Sequence, residues 1–289
     1  MRLATALRLG RVSNLPTVWT NVAAGIALAG GDFRAGVVTA VLLSVSLIYV
    51  AGMYLNDAFD RDYDAAERPT RPIPSGEVTA GTVFAAGFGL LGAGLVLAFI
   101  AVSVSPTAYA TGALGAACAL AACVVAYDFI HKKTRAAVLL MAACRVLVYC
   151  FAAFTTAPHA NPTLIAGMAL LFAYIAGLTA VARQETRQRI SSPWPLALLA
   201  TAIAVAAFLG ISEPAGISLA LVLAAWVFEA VRPLLRDRAD VPLAVSRMIA
   251  GICLLDASFI GTRGYVWGAV IAALGTVLTR ALQRRIPGT

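Results

Sequence analysis

The chain has 289 residues, of which 61% are hydrophobic and only 12% charged, with a mean hydropathy of +0.86. Soluble domains carry about 25% charged residues, so a soluble domain is excluded and a polytopic membrane protein is expected, read as one domain over 1–289. A formal net charge of +8 raises nucleic acid as a partner, but the placement of the basic residues argues against it.

A membrane-crossing helix needs roughly 17–25 mostly apolar residues. Ten such stretches are predicted in chain order, near 15–30, 36–55, 80–103, 107–126, 136–157, 163–182, 194–211, 215–231, 243–260 and 264–281. The first is interrupted by Pro16 and Asn21. Its basic lead and the "ALAGG" ending also fit a cleaved signal peptide, but its removal would upset the charge pattern that follows. Lysine and arginine fall in six clusters of three: Arg2, Arg8, Arg11; Arg61, Arg68, Arg71; Lys132, Lys133, Arg135; Arg183, Arg187, Arg189; Arg232, Arg236, Arg238; and Arg280, Arg284, Arg285. All six lie on one side of a ten-helix topology, and the other side holds only Arg34 and Arg263. Basic loops stay cytoplasmic. The expectation is therefore an integral protein of the cell (inner) membrane, with both termini and the polar loops on the cytoplasmic face and no nucleic-acid partner.

After the second span comes "YLNDAFDRDYDAAERPTRPIPSG", Tyr54 to Gly76. If the helix runs on through the aspartates, Asn56, Asp57, Asp60 and Asp64 share one stripe about 100° wide, and Asp62 points away. Carboxylates crowded on one face repel unless a cation sits among them. Mg2+ needs only one or two of them, completing its shell with water and phosphate oxygens. The arginines that follow, Arg68 and Arg71, suit phosphate oxygens, and the prolines would hold their loop in place. On a solvated helix end the same acids would merely offset Arg61, Arg68 and Arg71. The shared stripe, the membrane boundary and the basic loop favour a site.

"NDAFDRDYD" resembles the NDxxDxxxD signature of the UbiA superfamily of intramembrane prenyltransferases, and "RPTRPIPSG" the segment that follows it there. "LRLGRVSNLPTVWTNVAAG" and "YDFIHKKT" are similar to that family at corresponding places, and within the family the chain is most similar to the EboC-like branch. The resemblance implies an all-α helical bundle of nine to ten transmembrane helices around a lipid-open cavity with a cytoplasmic cap. It implies Mg2+ held by Asn56, Asp57, Asp60 and Asp64, the three aspartates being catalytic. The diphosphate of an isoprenyl donor would bind with the help of Arg68, Arg71, Tyr127 and Lys132, and a lipophilic acceptor would receive the prenyl group. Tyr49, Tyr149 and Tyr174 are candidates to line the cavity.

The chain departs from that pattern after the sixth predicted span. There the family carries a second aspartate-rich motif, and this sequence has "LTAVARQETRQRISS", with Glu185 its only acid. The expectation is that Arg183 and Arg187 bind the diphosphate directly, a merely topological basic loop being the alternative. Arg145 lies ten residues past Arg135, hence ~15 Å deep, and stands either in a structural ion pair, with Asp256 and Glu229 as candidate partners, or near the substrate. His131 reads as a solvated loop residue, on the opposite side of the membrane from His159. The five cysteines all fall inside apolar runs and read as buried fillers. A terpene cyclase on the same scaffold is the alternative to a transferase, and a transporter using the acids as a cation site is a third possibility.

Overall fold

The computed structural model describes residues 1–105, 109–134, 136–157, 160–184, 194–235 and 239–288. Among them there are only helices and turns. In lipid this follows from the need to satisfy every backbone polar group within the segment itself. The helices are α1 (Leu3–Leu9), α2 (Leu15–Ala29), α3 (Ala35–Phe59), α4 (Arg61–Glu67), α5 (Ala80–Ser103), α6 (Ala110–Ile130), α7 (Ala137–Thr156), α8 (Pro162–Ala182), α9 (Trp194–Leu209), α10 (Pro214–Val231), α11 (Val241–Gly261) and α12 (Val266–Gln283).

Every one of the ten predicted spans is present as a helix. Eight are long and apolar enough to cross a membrane, whereas α2 and α9, with 15 and 16 residues, are shorter. Start signals match the physics of helix ends. Asn161, Asp240 and Thr79 accept bonds from the amides of Leu164, Leu243 and Thr82, and a proline opens α8, α10 and α11. Exposed Phe88, Phe99, Phe208, Ile211, Trp267 and Ile271 cover the outside with apolar surface, which suits lipid and not water.

The short α2 is nearly all buried and sits at the centre, packed on α3, α7, α8, α11 and α12. Beside it, α3 and α5 form the tightest helix pair. Their seam closes at Gly94, whose carbonyl accepts from the Ser44 hydroxyl at 2.8 Å. A Cβ at Gly94 would stand 2.7 Å from Ile48 Cγ1 and 3.1 Å from the Ser44 carbonyl. Gly94→Val must therefore push the two helices apart, at a cost of about 1–3 kcal/mol for overpacking. The expected result is a lower melting temperature of the detergent-solubilised protein, with Gly92→Val, in open space, as the unaffected comparison.

The N-terminal segment lies across the polar end of α3. Tyr54 donates its hydroxyl to the Ala6 carbonyl at 3.1 Å, and Glu77 takes bonds from Thr5 and Arg8. The other end of the chain is tied to the same place, with Gln283 Nε2 donating to Asn14 Oδ1 at 2.9 Å and Asn14 Nδ2 to the Gly288 carbonyl.

Candidate active site

The α-helical run through the acidic stretch breaks once, at Asp60, instead of continuing unbroken as predicted. The break does not change the phase. The Asp60 amide bonds the Asn56 carbonyl at 2.9 Å and the Asp64 amide bonds the Asp60 carbonyl at 2.8 Å, so the i to i−4 pattern survives. Asn56, Asp57, Asp60 and Asp64 are all buried, while Asp62 is 85% exposed.

Each carboxylate has cationic partners. Asp57 accepts from Arg11 at 3.0 Å and Arg71 at 3.1 Å, and Arg71 also reaches Asp64 at 2.8 Å. Asp60 lies 3.2 Å from His131 Nε2 and 3.4 Å from Lys132 Nζ. Burial alone would raise the Asp60 carboxyl, but the hydrogen bonds and charges of His131 and Lys132 outweigh it and hold the group below its ordinary value. Arg11 likewise loses solvation on burial, yet the neighbouring Asp57 carboxylate keeps its guanidinium more firmly protonated than usual.

Three members of this cap went unassigned in the sequence. Arg11 was counted only as a topological charge. It occupies a left-handed backbone conformation, φ 40°, unlike any other described non-glycine residue, and this strained turn between α1 and α2 brings its side chain onto α3. Asp128 accepts from Asn56 Nδ2 at 3.2 Å and is buried. His131 is not a solvated loop residue: its ring stacks on Tyr127 with centroids 5.0 Å apart and packs into the site, because α6 ends directly beside α3. All three lie within two residues of a helix end, and an ionisable residue at such an end was the available signal.

The other expected residues are placed as follows. Lys132 sits over the Tyr63 ring at 3.9 Å. Arg68 ends α4, half-buried, its amide bonded to the Asp64 carbonyl. Arg183 is exposed and donates to the carbonyls of His131 and Thr134, both at 2.9 Å, so it braces the loop that carries His131 and Lys132. Arg187, Glu185 and His159 lie outside the described residues.

Beneath the cap is a chamber lined by Val45, Tyr49, Gly52, Val124, Tyr127 and Val148 among others, with Asp128 near its top and Arg145 in its wall. Its empty space is about 580 Å³, counting the part open at the mouth. Of the three tyrosines expected to line it, only Tyr49 does. Tyr149 and Tyr174 are fully buried between helices, bonded to Asp256 and to the Met248 carbonyl. Arg145 also differs from expectation. Glu229 is at the exposed surface and pairs with Arg232, and Asp256 is linked to Arg145 through Asn21 rather than by a direct ion pair. Asn21 accepts from Arg145 at 2.8 Å and donates to Asp256 at 2.8 and 3.0 Å.

Among the described residues no three acidic, histidine or cysteine groups converge into a ready-made metal cage. The donors nevertheless suit Mg2+, which takes one or two carboxylates and leaves the rest of its shell to water and phosphate. One oxygen of Asp64 and one of Asp128 are buried without a hydrogen-bond partner, an arrangement that costs free energy unless a cation or donor is supplied.

A model of the UbiA prenyltransferase family matches residues 17–252. A digeranylgeranylglyceryl phosphate synthase of Methanopyrus kandleri is 38% identical over 72 residues, a stretch covering 25% of this chain and 26% of that protein. Among solved structures, one of a digeranylgeranylglyceryl phosphate synthase superposes with TM-score 0.62 at 20% identity, covering 91% of this chain and 99% of the other. A UbiA homologue from Archaeoglobus fulgidus bound to DMAPP and Mg2+ gives 0.53 at 16% identity, covering 96% and 98%.

Proposed function

Since this chain belongs to the UbiA prenyltransferase family and is an integral membrane protein, we propose that it is a Mg2+-dependent intramembrane transferase. It moves an isoprenyl group from an isoprenyl diphosphate to a lipophilic acceptor. The observation that carries this reading is the buried stripe of Asn56, Asp57, Asp60 and Asp64, ringed by Arg11, Arg71, His131 and Lys132, directly above an apolar chamber.

Arg11, Arg71 and Lys132 are already matched to the carboxylates of Asp57, Asp64 and Asp60. A diphosphate adds negative charge that these cations, already matched to carboxylates, do not neutralise. Asp57, Asp60 and Asp64, with Asn56, would hold Mg2+, which supplies neutralisation of the leaving diphosphate oxygen. A UbiA homologue bound to DMAPP and Mg2+ supports the choice of metal and of donor class. Arg11, Arg71 and Lys132 stand where charge grows as the allylic carbon–oxygen bond breaks. Arg183, bracing the Lys132 loop, keeps part of that set in position, and Arg68 and Arg187 remain proposed diphosphate contacts. The chamber keeps the allylic cation from water, and the face of Tyr127 can stabilise it.

One feature favours a transferase over a cyclase. A cyclising cation migrates deep along its folded chain, and here the guanidinium of Arg145 in the wall would repel it. Capture next to the cap avoids that repulsion. A transporter expects ionisable groups free to change state on several helices, whereas Arg145 and Asp256 are tied into one hydrogen-bonded network. The basic loops support a cap on the cytoplasmic side of the inner membrane.

The test is product analysis. Membranes containing the protein, given geranylgeranyl diphosphate, Mg2+ and a lipid extract as the source of acceptor, should yield a prenylated lipid by mass spectrometry, and excess EDTA should abolish it. A hydrocarbon formed without acceptor would instead establish the cyclase, and product formation undiminished by EDTA would overturn the metal assignment.

A further inference from the structure

Arg247 lies inside α11 and takes no part in the chemistry above. Its Nη1 donates to the Glu229 carbonyl on α10 at 3.0 Å, and its own carbonyl accepts from the Trp226 indole at 2.9 Å. Both partners are neutral, and among the described residues no carboxylate forms an ion pair with it. The two bonds hold Arg247 on α10 without neutralising its charge. A half-buried arginine within a membrane-crossing helix is costly and ordinarily faces a cavity or a partner.

Arg247 does face a cavity. With Glu229, Arg232, Pro233 and Leu235 it lines a cleft between α10 and α11, with about 750 Å³ of empty space counting the part open at the mouth. The cleft shares no lining residue with the chamber beneath the cap. Alternation of the helices places it at the cap's end of the bundle, where the membrane surface is met. The exposed Glu229 carboxylate is taken up by Arg232, at 2.9 and 3.1 Å. Two guanidiniums against one carboxylate leave the cleft one positive charge among the described residues, which matches the single negative charge of a phosphodiester.

The helical repeat puts Leu221, Val222 and Ala225 on the same face of α10 as Glu229 and Arg232, and all three are exposed. That face therefore runs from a charged end at the membrane surface to an apolar track at the depth of the hydrocarbon. A free phosphate would use only the charged end, whereas a phospholipid uses both.

We propose that this cleft holds the headgroup of an anionic phospholipid, with its phosphodiester between Arg232 and Arg247 and an acyl chain along Leu221, Val222 and Ala225. Guanidinium forks suit phosphate oxygens, and basic pockets between membrane helices take anionic headgroups. A lipid seated there joins α10 to α11. The site stands independently of the transferase reading.

The experiment uses the delipidated full chain in neutral detergent. It is titrated with phosphatidylglycerol, phosphatidylcholine and phosphatidylethanolamine of identical acyl chains, and native mass spectrometry counts the lipid bound. The wild type should take up one phosphatidylglycerol at a concentration roughly five- to tenfold below that needed for either neutral lipid, the scale of one unbalanced interfacial arginine and its fork. Arg247→Gln and Arg232→Gln each cancel the excess charge of the cleft and should bring the ratio within about twofold of unity. Arg285→Gln removes the same charge from the exposed segment past α12 and should leave the ratio unchanged. If Arg247→Gln does not assemble, Arg247→Lys, which keeps charge without the fork, should lower the ratio about threefold. Inorganic phosphate in millimolar excess should leave the bound phosphatidylglycerol in place. Equal uptake of the three lipids, or a preference that survives the substitutions in the cleft, would overturn the proposal. An equal loss in Arg285→Gln would overturn it in favour of diffuse surface charge, and displacement by inorganic phosphate in favour of a soluble-anion site.

Discussion

Asp57→Asn should lower prenyl transfer by about three orders of magnitude. Loss of one preorganised electrostatic group commonly costs 10²–10³ in turnover, and this substitution removes more than one interaction. It takes a carboxylate from the proposed metal shell, and it leaves Arg11 and Arg71, both 16% exposed, without the acid they share. Breaking a buried pair from one side costs about 3–5 kcal/mol, reduced here because the arginines retain some solvent. Lower stability should therefore accompany the loss of activity, and melting in detergent must be measured beside turnover. Asp62→Asn, on the exposed side of the same segment, is the comparison that separates site from helix, and it should stay within about twofold of wild type. An Asp57→Asn protein that keeps a tenth of wild-type turnover would remove Asp57 from the catalytic set.

The second large effect is expected at Arg11. Arg11→Gln should reduce kcat/KM for the isoprenyl diphosphate about 100-fold, the scale of one lost donor at developing charge. The substitution withdraws the Arg11 contacts with Asn56 Oδ1 at 3.4 Å and Asp57 Oδ1 at 3.0 Å. Arg11→Lys should recover only part of this, because a point charge cannot reproduce two contacts made from one planar nitrogen. The steady-state dependence on donor concentration decides the matter. A change confined to acceptor KM would mean that Arg11 serves the other substrate.

What could be read in the sequence was whatever helical periodicity and hydropathy carry locally. The ten apolar helices follow from composition alone, eight of them long enough to cross a membrane. The stripe of Asn56, Asp57, Asp60 and Asp64 survives the break at Asp60 because hydrogen bonding keeps the helical phase across it. Long-range partners could not be read in the same way. Arg11 meets Asp57 across 46 residues by way of one left-handed turn, and nothing periodic announces that. His131 follows a helix end, and only the packing of α6 beside α3 turns it inward. Tyr49, Tyr149 and Tyr174 all lie on strongly apolar helices, so no face of the sequence distinguishes chamber from core. Asp256 was a candidate ion-pair partner of Arg145, and the two form no direct pair because Asn21 stands between them with its carbonyl toward one and its amide toward the other.

Every ionic contact described in the cap joins residues numbered between 11 and 132. Among the described residues, the ion pairs of the cap thus form within the portion of the chain made first, and the later helices add walls, part of the chamber and the loop brace from Arg183. In biosynthetic order, the charged apparatus can close on itself once α6 has entered the membrane, before the last six helices are inserted around it.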